Sequence, residues 1–215
     1  MTESAESKRV LMEKNRLESL TDGIFAFAMT LLVTSMILPR GAVATTSSGA
    51  VLMSMLPDFY HYVIGFFVLA AFWFGHHEQL RKVHHLDEFF MGLNVFGLFL
   101  VTMVPFTTSF IGDYTNDTIA TCLFEVNLLL LGLIFVVQWG YATRNHYLVS
   151  PDYPESEITK RMCHGLIIPV ISLIGIVIAL LGSDNSTMIY MTSPFISWGV
   201  ARYFDNKKEN QKKPN

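Results

Sequence analysis

The stretch from Leu128 to Val137 reads LLLLGLIFVV, without a charged or polar side chain. Such an unbroken apolar run excludes a transmembrane barrel, whose strands alternate apolar and polar side chains, and is typical of a membrane helix. Over all 215 residues the chain is 51% hydrophobic and only 15% charged, where soluble domains have about a quarter charged. This composition excludes a soluble enzyme, a disordered tail and a disulfide-stapled secreted module. It indicates an integral membrane protein.

Charged residues divide the chain into six apolar segments. As helices rising about 1.5 Å per residue, such segments cross most of a hydrocarbon core about 30 Å thick. The segments are approximately 23–38, 59–75, 89–111, 119–142, 165–182 and 188–203. The sequence therefore predicts an all-α, polytopic membrane protein with six transmembrane helices per subunit. It divides into an N-terminal segment (1–19), a six-helix transmembrane domain (20–204) and a C-terminal tail (205–215).

Basic residues predict the orientation of these spans. They precede the first span, follow the sixth, and occupy the connections between spans two and three and between spans four and five. These positions are Lys8, Arg9, Lys14, Arg16, Arg81, Lys82, Arg144, Lys160, Arg161, Arg202, Lys207, Lys208, Lys212 and Lys213. On the opposite side there is only Arg40. Because Lys and Arg accumulate in cytoplasmic loops, both ends of the chain are predicted to be cytoplasmic. The net charge of −3 gives no support for a nucleic-acid partner.

Asp22 lies at the mouth of the first apolar segment. An ionised carboxylate there is costly unless it has a partner or water, which favours a functional role. An acidic residue near a helix N-terminus also complements the helix dipole and the unpaired amides, so a plain helix-start role fits equally. The residue type alone leaves both interpretations open.

The motif Arg16-x-x-x-Leu20-Thr21-Asp22 resembles the R-x-x-x-F-S-D signature that opens the transmembrane protein 175 family of potassium channels. Further matching positions follow in order: Thr30, Trp73, His76-His77, Asn94 and Pro105-Phe106-Thr107. Leu20 replaces the usual Phe and Thr21 the usual Ser, and both changes keep the character of the side chain.

The resemblance implies a non-canonical potassium channel fold whose pore is lined by the first span of each subunit, without a carbonyl selectivity filter. A single six-span repeat is similar to the prokaryotic members, which assemble as homotetramers. The chain also has no T-V-G-Y-G-like loop from which a carbonyl filter could be built. The resemblance thus implies a leak-type channel in the cell (plasma) membrane, with potassium as the permeant ion and no cofactor.

The family's constricting positions correspond here to Phe27, Leu31 and Thr34. At about 100° per residue, these three and Leu38 share one helical stripe within about 60°. We expect Phe27 and Leu31 to form a hydrophobic gate and Thr34 to assist selection. In membrane helices generally, such a stripe more often packs against neighbours or faces lipid, and the spacing alone does not exclude this.

The resemblance also implies a structural polar network that joins the first span to its neighbours. Its expected members are Arg16, Thr21, Asp22, Trp73, His76 and His77. Trp73 and His77 are four residues apart and share a helix face, which suits this role. The network would hold the pore helix in register.

Other polar residues leave alternatives open. His76, His77, His84 and His85 could bind metal or sense pH, but no third ligand set accompanies them, and no metal site is predicted. Glu125 lies within the fourth span near its outer end, either as a functional site or hydrogen-bonded between helices. The runner-up function is a proton-coupled secondary transporter that uses Asp22, Glu125 or His77. An intramembrane enzyme lacks paired catalytic groups, so no enzymatic activity is predicted.

Overall fold

The computed structural model describes residues 2–34, 36, 47–114, 117–182 and 186–212. This part of the chain forms seven α-helices, and a 3-10 helix, Ser186–Thr192, precedes the last. The helices are α1 Thr2–Thr34, α2 Ser48–Ser54, α3 Leu56–Leu80, α4 Glu88–Asp113, α5 Thr118–Thr143, α6 Glu155–Leu180 and α7 Ser193–Lys212. Among the described residues, β pairing is limited to an isolated antiparallel bridge between Val83 and Val149. The all-α prediction is confirmed.

Five helical stretches are long and apolar enough to cross a membrane. They are Lys14–Thr34, Leu56–Leu80, Glu88–Asp113, Thr118–His146 and Glu155–Leu180. These stretches contain or overlap the first five predicted spans. The helices run beyond the apolar segments because backbone hydrogen bonding continues after the side chains become polar, so α6 begins well before the predicted start at 165.

The predicted sixth span does not meet the same criteria. Residues 188–203 are divided between the 3-10 helix and α7, and the second half of α7 is strongly polar. The helical structure of the segment is present, but six membrane crossings are not confirmed. At the other end of the chain, α1 continues back to Thr2 and so includes most of the predicted N-terminal segment.

Side-chain caps explain where two of the long helices begin. The Asp87 carboxylate accepts a hydrogen bond of 2.8 Å from the backbone N–H of Phe90 at the start of α4. Asp117 accepts one of 2.8 Å from the N–H of Ala120 at the start of α5. Each carboxylate satisfies an amide that has no partner within its own helix, which stabilises the start of the helix.

The helices enclose one main apolar core. Phe25, Ala28 and Leu32 of α1 are buried in it against α3, α4 and α5. Close helix approach depends on glycine at some points: a Cβ on Gly132 would lie 2.5 Å from Cγ of Pro169. Small residues at helix contacts are typical of membrane bundles, where packing rather than hydrophobic burial brings helices together.

The 3-10 helix and α7 return alongside α6 in the opposite direction. The hydroxyl of Tyr190 donates a hydrogen bond of 2.9 Å to Oγ of Ser172. Nearer the start of α6, Nζ of Lys160 lies 2.7 Å from Oδ1 of Asp205, and Lys208 pairs with Glu157. The α6 residues in these contacts, from Glu157 to Ser172, span about 22 Å at 1.5 Å per residue. The 3-10 helix and α7 therefore lie beside much of the length of α6.

Candidate functional site

The two faces of α1 have different surroundings. Its buried face carries Leu17, Thr21, Phe25, Ala28 and Leu32, which recur at helical spacing of four or three residues. At about 100° per residue, the side of α1 directly opposite this buried face is centred near Thr30. From Leu20 to Thr34, the exposed residues on and around that side are Leu20, Gly23, Ala26, Phe27, Thr30, Val33 and Thr34. None of these is charged, so this part of α1 presents an apolar and hydroxyl-bearing surface away from its own subunit. Arg16 is exposed on the same side nearer the start of the helix.

The predicted pore residues lie on or beside this exposed face. Phe27 is 63% exposed, Thr34 is exposed, and Leu31 is half-buried. Leu38 lies outside the described residues. The hydroxyls of Thr30 and Thr34 donate to the carbonyl oxygens of Phe27 and Leu31, both at 2.8 Å. Since each hydroxyl hydrogen is used within the helix, the lone pairs of the Thr oxygens remain available to a cation.

A hydrogen bond between α1 and α3 holds the inner part of α1. The indole Nε1 of Trp73 donates to Oδ1 of Asp22 at 2.8 Å. The ring of His77 stacks on Trp73, with centroids 5.8 Å apart and planes at 30°. The structure therefore brings Asp22, Trp73 and His77 together at one contact.

Asn94 of α4 is the centre of a second, fully buried group. Its Oδ1 lies 2.6 Å from Nε2 of His76 and 3.3 Å from Nε2 of Gln138, and its Nδ2 donates to Oγ1 of Thr21 at 3.3 Å. Because an amide oxygen only accepts, Nε2 of His76 carries the proton. Asn94 has no exposed surface, and it links α1, α3, α4 and α5 through side chains alone. A neutral group of this kind can join apolar helices without burying a net charge.

The predicted network is thus placed in two adjoining groups, with one member apart. Asp22, Trp73 and His77 form one group, while Thr21 and His76 meet through Asn94. Arg16 is exposed and makes no hydrogen bond or ion pair with another described residue. Gln138 was not predicted, although a polar amide inside an apolar span was the signal that could have identified it.

The other histidines take no part in this site. His84 and His85 are exposed in the connection between α3 and α4, where the N–H of His84 donates to the carbonyl of Leu148 at 2.8 Å. Within the described ranges, no group of three or more His, Cys, Asp or Glu side chains could hold a metal ion.

Glu125 lies in a separate buried cluster. It has no exposed surface. The hydroxyl of Ser186 donates to its Oε1 at 2.8 Å, and its carboxylate lies directly against the Cα of Gly175. Its other oxygen has no hydrogen-bond partner among the described residues. Glu125 is 13 residues from Gln138, or about 20 Å along α5, so it is remote from the Asn94 group.

Fold and site together define an all-helical membrane protein whose first long helix is anchored by polar side chains on one face and left uncovered on the other. Residues 16–105 match the family model described as "Endosomal/lysosomal potassium channel TMEM175". The resemblance inferred from the sequence is confirmed: the segment that carries the signature matches this family model, and the chain is similar to TMEM175-family proteins.

Two bacterial relatives extend the similarity beyond that segment. The chain is 29% identical over 154 residues to a potassium channel of Streptomyces collinus, covering 69% of this chain and 74% of the relative. It is 27% identical over 150 residues to a potassium channel of Chamaesiphon minutus, covering 68% and 74%.

Two solved structures share the fold. The crystal structure of a lysosomal potassium-selective channel TMEM175 homolog from Chamaesiphon minutus superimposes with a TM-score of 0.70 at 24% identity, covering 91% of this chain and 98% of that one. A variant of the potassium channel MtTMEM175, in complex with a nanobody fusion, gives a TM-score of 0.59 at 17% identity, covering 91% and 93%. Nearly the whole chain therefore has this fold.

Proposed function

We propose that this protein is a potassium-selective, leak-type ion channel whose pore is lined by α1. The observation that carries this proposal is the uncovered face of α1, uncharged from Leu20 to Thr34, which contrasts with its tightly packed opposite face. Two bacterial relatives named as potassium channels and the TMEM175 fold support the same function.

Conduction along this face requires several copies of α1 around one axis. We propose a homotetramer, as in the prokaryotic members that the sequence resembles, because one helix cannot enclose a pore. Exposed Gly23 and Ala26 support close approach of neighbouring helices near their inner ends. The lipid bilayer is the only other partner in this proposal.

The constriction acts by dehydration. Rings of Phe27 and Leu31 offer no oxygen to replace the water around an ion. Any water that an ion loses in passing them is therefore lost without compensation by the protein. Potassium holds water less tightly than sodium and is therefore favoured. The oxygens of Thr34 would receive the ion beyond the apolar step. No cofactor and no catalytic group takes part.

The polar groups act as an anchor for this helix. Asp22 and Thr21 hold α1 to Trp73 of α3 and Asn94 of α4, on the side away from the pore. Their side chains fix the rotation of α1 and hence the direction of Phe27 and Leu31. Arg16 lies nearest the inner mouth and acts there as an exposed charge rather than as a bonded member of the anchor.

We further propose six membrane crossings, with both ends of the chain cytoplasmic in the plasma membrane. The 3-10 helix and α7 return beside α6 over much of its length, which supports a sixth crossing despite the polar end of α7. Basic residues collect at one end of the bundle: Nζ of Lys14 donates to the carbonyl of Val83 at 2.9 Å, and Lys160 pairs with Asp205. Such clustering is typical of the cytoplasmic side.

A proton-coupled transporter would need a continuous path between its ionisable groups. Asp22 and His77 both contact Trp73. Glu125 is bonded to Ser186 instead, and it lies about 20 Å along α5 from Gln138, which belongs to the Asn94 group beside that contact. This separation favours the channel over the transporter.

The decisive experiment records currents from purified protein in planar bilayers under opposed potassium and sodium gradients. A potassium channel gives unitary current steps that reverse near the potassium equilibrium potential. Saturable flux without unitary steps, or flux that depends on a proton gradient, would instead identify a transporter.

A further inference from the structure

A cavity of about 830 Å³ lies between α3, α6 and the segment formed by the 3-10 helix and α7. Its walls are mainly apolar and include Phe67, Phe74 and Ile168. The two phenylalanines are 66% and 64% exposed, so the cavity is accessible from the side of the bundle. Gly75 adds open space, because a Cβ there would meet nothing within 4 Å. The cavity is not part of the proposed pore, which lies on the far side of α1.

Charged side chains are confined to one end of this cavity, where α3 ends and α6 begins. Lys160, Arg161 and His164 line it there, beside Glu78 and Glu157. With the neighbouring ion-pair partners, four basic side chains face three acidic ones: Arg81, Lys160, Arg161 and Lys208 against Glu78, Glu157 and Asp205. The charges of the lining residues themselves balance, and the excess of one positive charge comes from their neighbouring ion-pair partners.

Arg161, one of the basic residues that line the cavity, has unused hydrogen-bonding capacity. Its Nη2 lies 3.5 Å from Oε2 of Glu78, and its guanidinium lies over the ring of Trp139 at 5.5 Å. Its Nε has no hydrogen-bond partner among the described residues. A planar guanidinium held in place with free N–H groups is the form in which proteins bind phosphate oxygens.

We propose that this cavity binds an acidic phospholipid, with an acyl chain along the apolar wall and the phosphate at Arg161 and Lys160. The pattern of charge at one end and apolar surface over the rest matches a single amphiphilic molecule. Basic pockets between membrane helices on the cytoplasmic side recognise acidic headgroups in this way, and anionic lipids are enriched there. The site depends on the proposed orientation of the chain and is independent of whether the protein conducts potassium.

The test counts lipids that stay bound to the purified protein. Protein is reconstituted in nanodiscs containing equal parts phosphatidylglycerol and phosphatidylcholine, released, and measured by native mass spectrometry. We expect wild-type protein to retain phosphatidylglycerol in clear preference. Arg161→Gln should lower this retention about tenfold, since it removes a charge-assisted hydrogen bond.

A second variant keeps the test valid if Arg161→Gln disturbs the packing on Trp139. Gly75→Leu places a helix-favouring side chain in the cavity and leaves every rim charge in place, so it should also lower retention by narrowing the apolar wall where an acyl chain would lie. The matched controls are Gly92→Leu, another glycine with open space around its Cβ, and Arg202→Gln on α7, outside the cavity lining. Both should bind lipid like the wild type.

Three results would overturn the proposal. They are equal retention of the two lipids, unchanged retention in both Gly75→Leu and Arg161→Gln, and efficient cross-linking of the cavity wall to a neighbouring subunit. Potassium currents are measured in parallel in the planar-bilayer experiment. A protein that binds phosphatidylglycerol but does not conduct would refute the channel alone.

Discussion

The side chain of Trp73 donates a hydrogen bond of 2.8 Å to Asp22, across 51 residues of sequence and between α3 and α1. This bond attaches the proposed pore helix to the rest of its subunit at one defined point. A rotation of α1 that turned Phe27 toward or away from the pore would have to break it or carry α3 along. In the proposed channel, we therefore expect this bond to affect opening.

Trp73→Phe tests this anchor by removing the N–H and keeping an aromatic ring for His77 to stack on. We expect a changed open probability with unchanged unitary conductance, because the pore surface itself is untouched. Single-channel recording separates these two quantities. The control is Trp139→Phe, which loses an indole bond of 3.3 Å to the carbonyl of Ile158 remote from α1. Equal gating changes in both variants would mean that the effect is general destabilisation.

Asn94→Ala should be among the most destabilising single substitutions in the bundle. It leaves His76 and Gln138 buried without their shared acceptor, and unpaired buried polar groups of this kind cost about 2–4 kcal/mol together. Thermal unfolding in detergent measures the loss. Asn127→Ala, which gives up one bond of 3.4 Å to Thr107, provides the comparison and should cost about 1 kcal/mol. Similar unfolding temperatures for the two variants would contradict the central role of Asn94.

Leu31→Ala tests the hydrophobic constriction. Smaller side chains at this position would widen the apolar ring, so that sodium passes with more of its hydration shell. We expect higher unitary conductance and a potassium-to-sodium permeability ratio reduced about tenfold, or about 1.4 kcal/mol. Reversal potentials under bi-ionic conditions give the ratio. Val33→Ala, also on the exposed side but about 120° from Phe27, should leave both values unchanged. If Val33→Ala has the larger effect, the pore lies along another stripe of α1.

Gly175→Ala examines the second buried cluster. An added Cβ would collide with the carboxylate of Glu125, so either this buried side chain must leave its position beside Ser186 or α5 and α6 must separate, at a cost of about 1–3 kcal/mol. Glu125→Ala should relieve most of this cost in the double variant, because it removes the group that the new methyl meets. Thermal unfolding of the two single variants and the double variant yields the coupling energy. Gly199→Ala on α7, where a Cβ would meet nothing within 4 Å, serves as the neutral reference.

The ion pairs between α6 and α7 predict that α7 stays packed against α6 over a broad pH range. Hydrogen bonding to Lys160 lowers the pKa of Asp205, so this contact stabilises the folded state above the usual Asp value of about 3.9 and is lost as the pH falls through the lowered pKa. Hydrogen bonding to Glu157 raises the pKa of Lys208, so its contribution is lost only as the pH rises through that raised value, above about 10.4. Hydrogen exchange of residues 200–212 should therefore change little between pH 5 and 9, allowing for intrinsic exchange rates. Strong acceleration within that range would contradict this account.

The helices of this protein could be predicted from its sequence more fully than its polar contacts could. Runs such as 128–137 identify membrane helices by themselves, because apolar length is what a bilayer requires of a helix. The hydrogen bond between Gln138 and Asn94 depends on how α4 and α5 pack, so no local sequence pattern predicts it. The sixth segment illustrates the reverse problem: 188–203 is apolar but short, so its path beside α6 becomes visible only through contacts such as Tyr190 with Ser172.

The pore positions were predicted from the family resemblance, and helical spacing gives the relative directions of these residues but not the direction in which the whole helix faces. Phe27 and Thr34 are exposed, whereas Leu31 lies half-buried at the edge of the exposed face. Thr30, which spacing placed about 60° from Phe27, lies nearer its middle. The absolute rotation of α1 follows from the residues buried on its other side, and these depend on the helices that they meet.

In the proposed channel, the division of α1 into two faces separates folding from permeation. Substitutions at Phe27 or Thr34 remove no contact on which the subunit's own core depends, whereas Phe25 and Leu32 are buried in that core. We therefore expect ion preference to change with substitutions on the exposed face while the scaffold stays intact. For protein engineers, this makes the outward surface of the helix a place where conductance can be redesigned with little risk of misfolding.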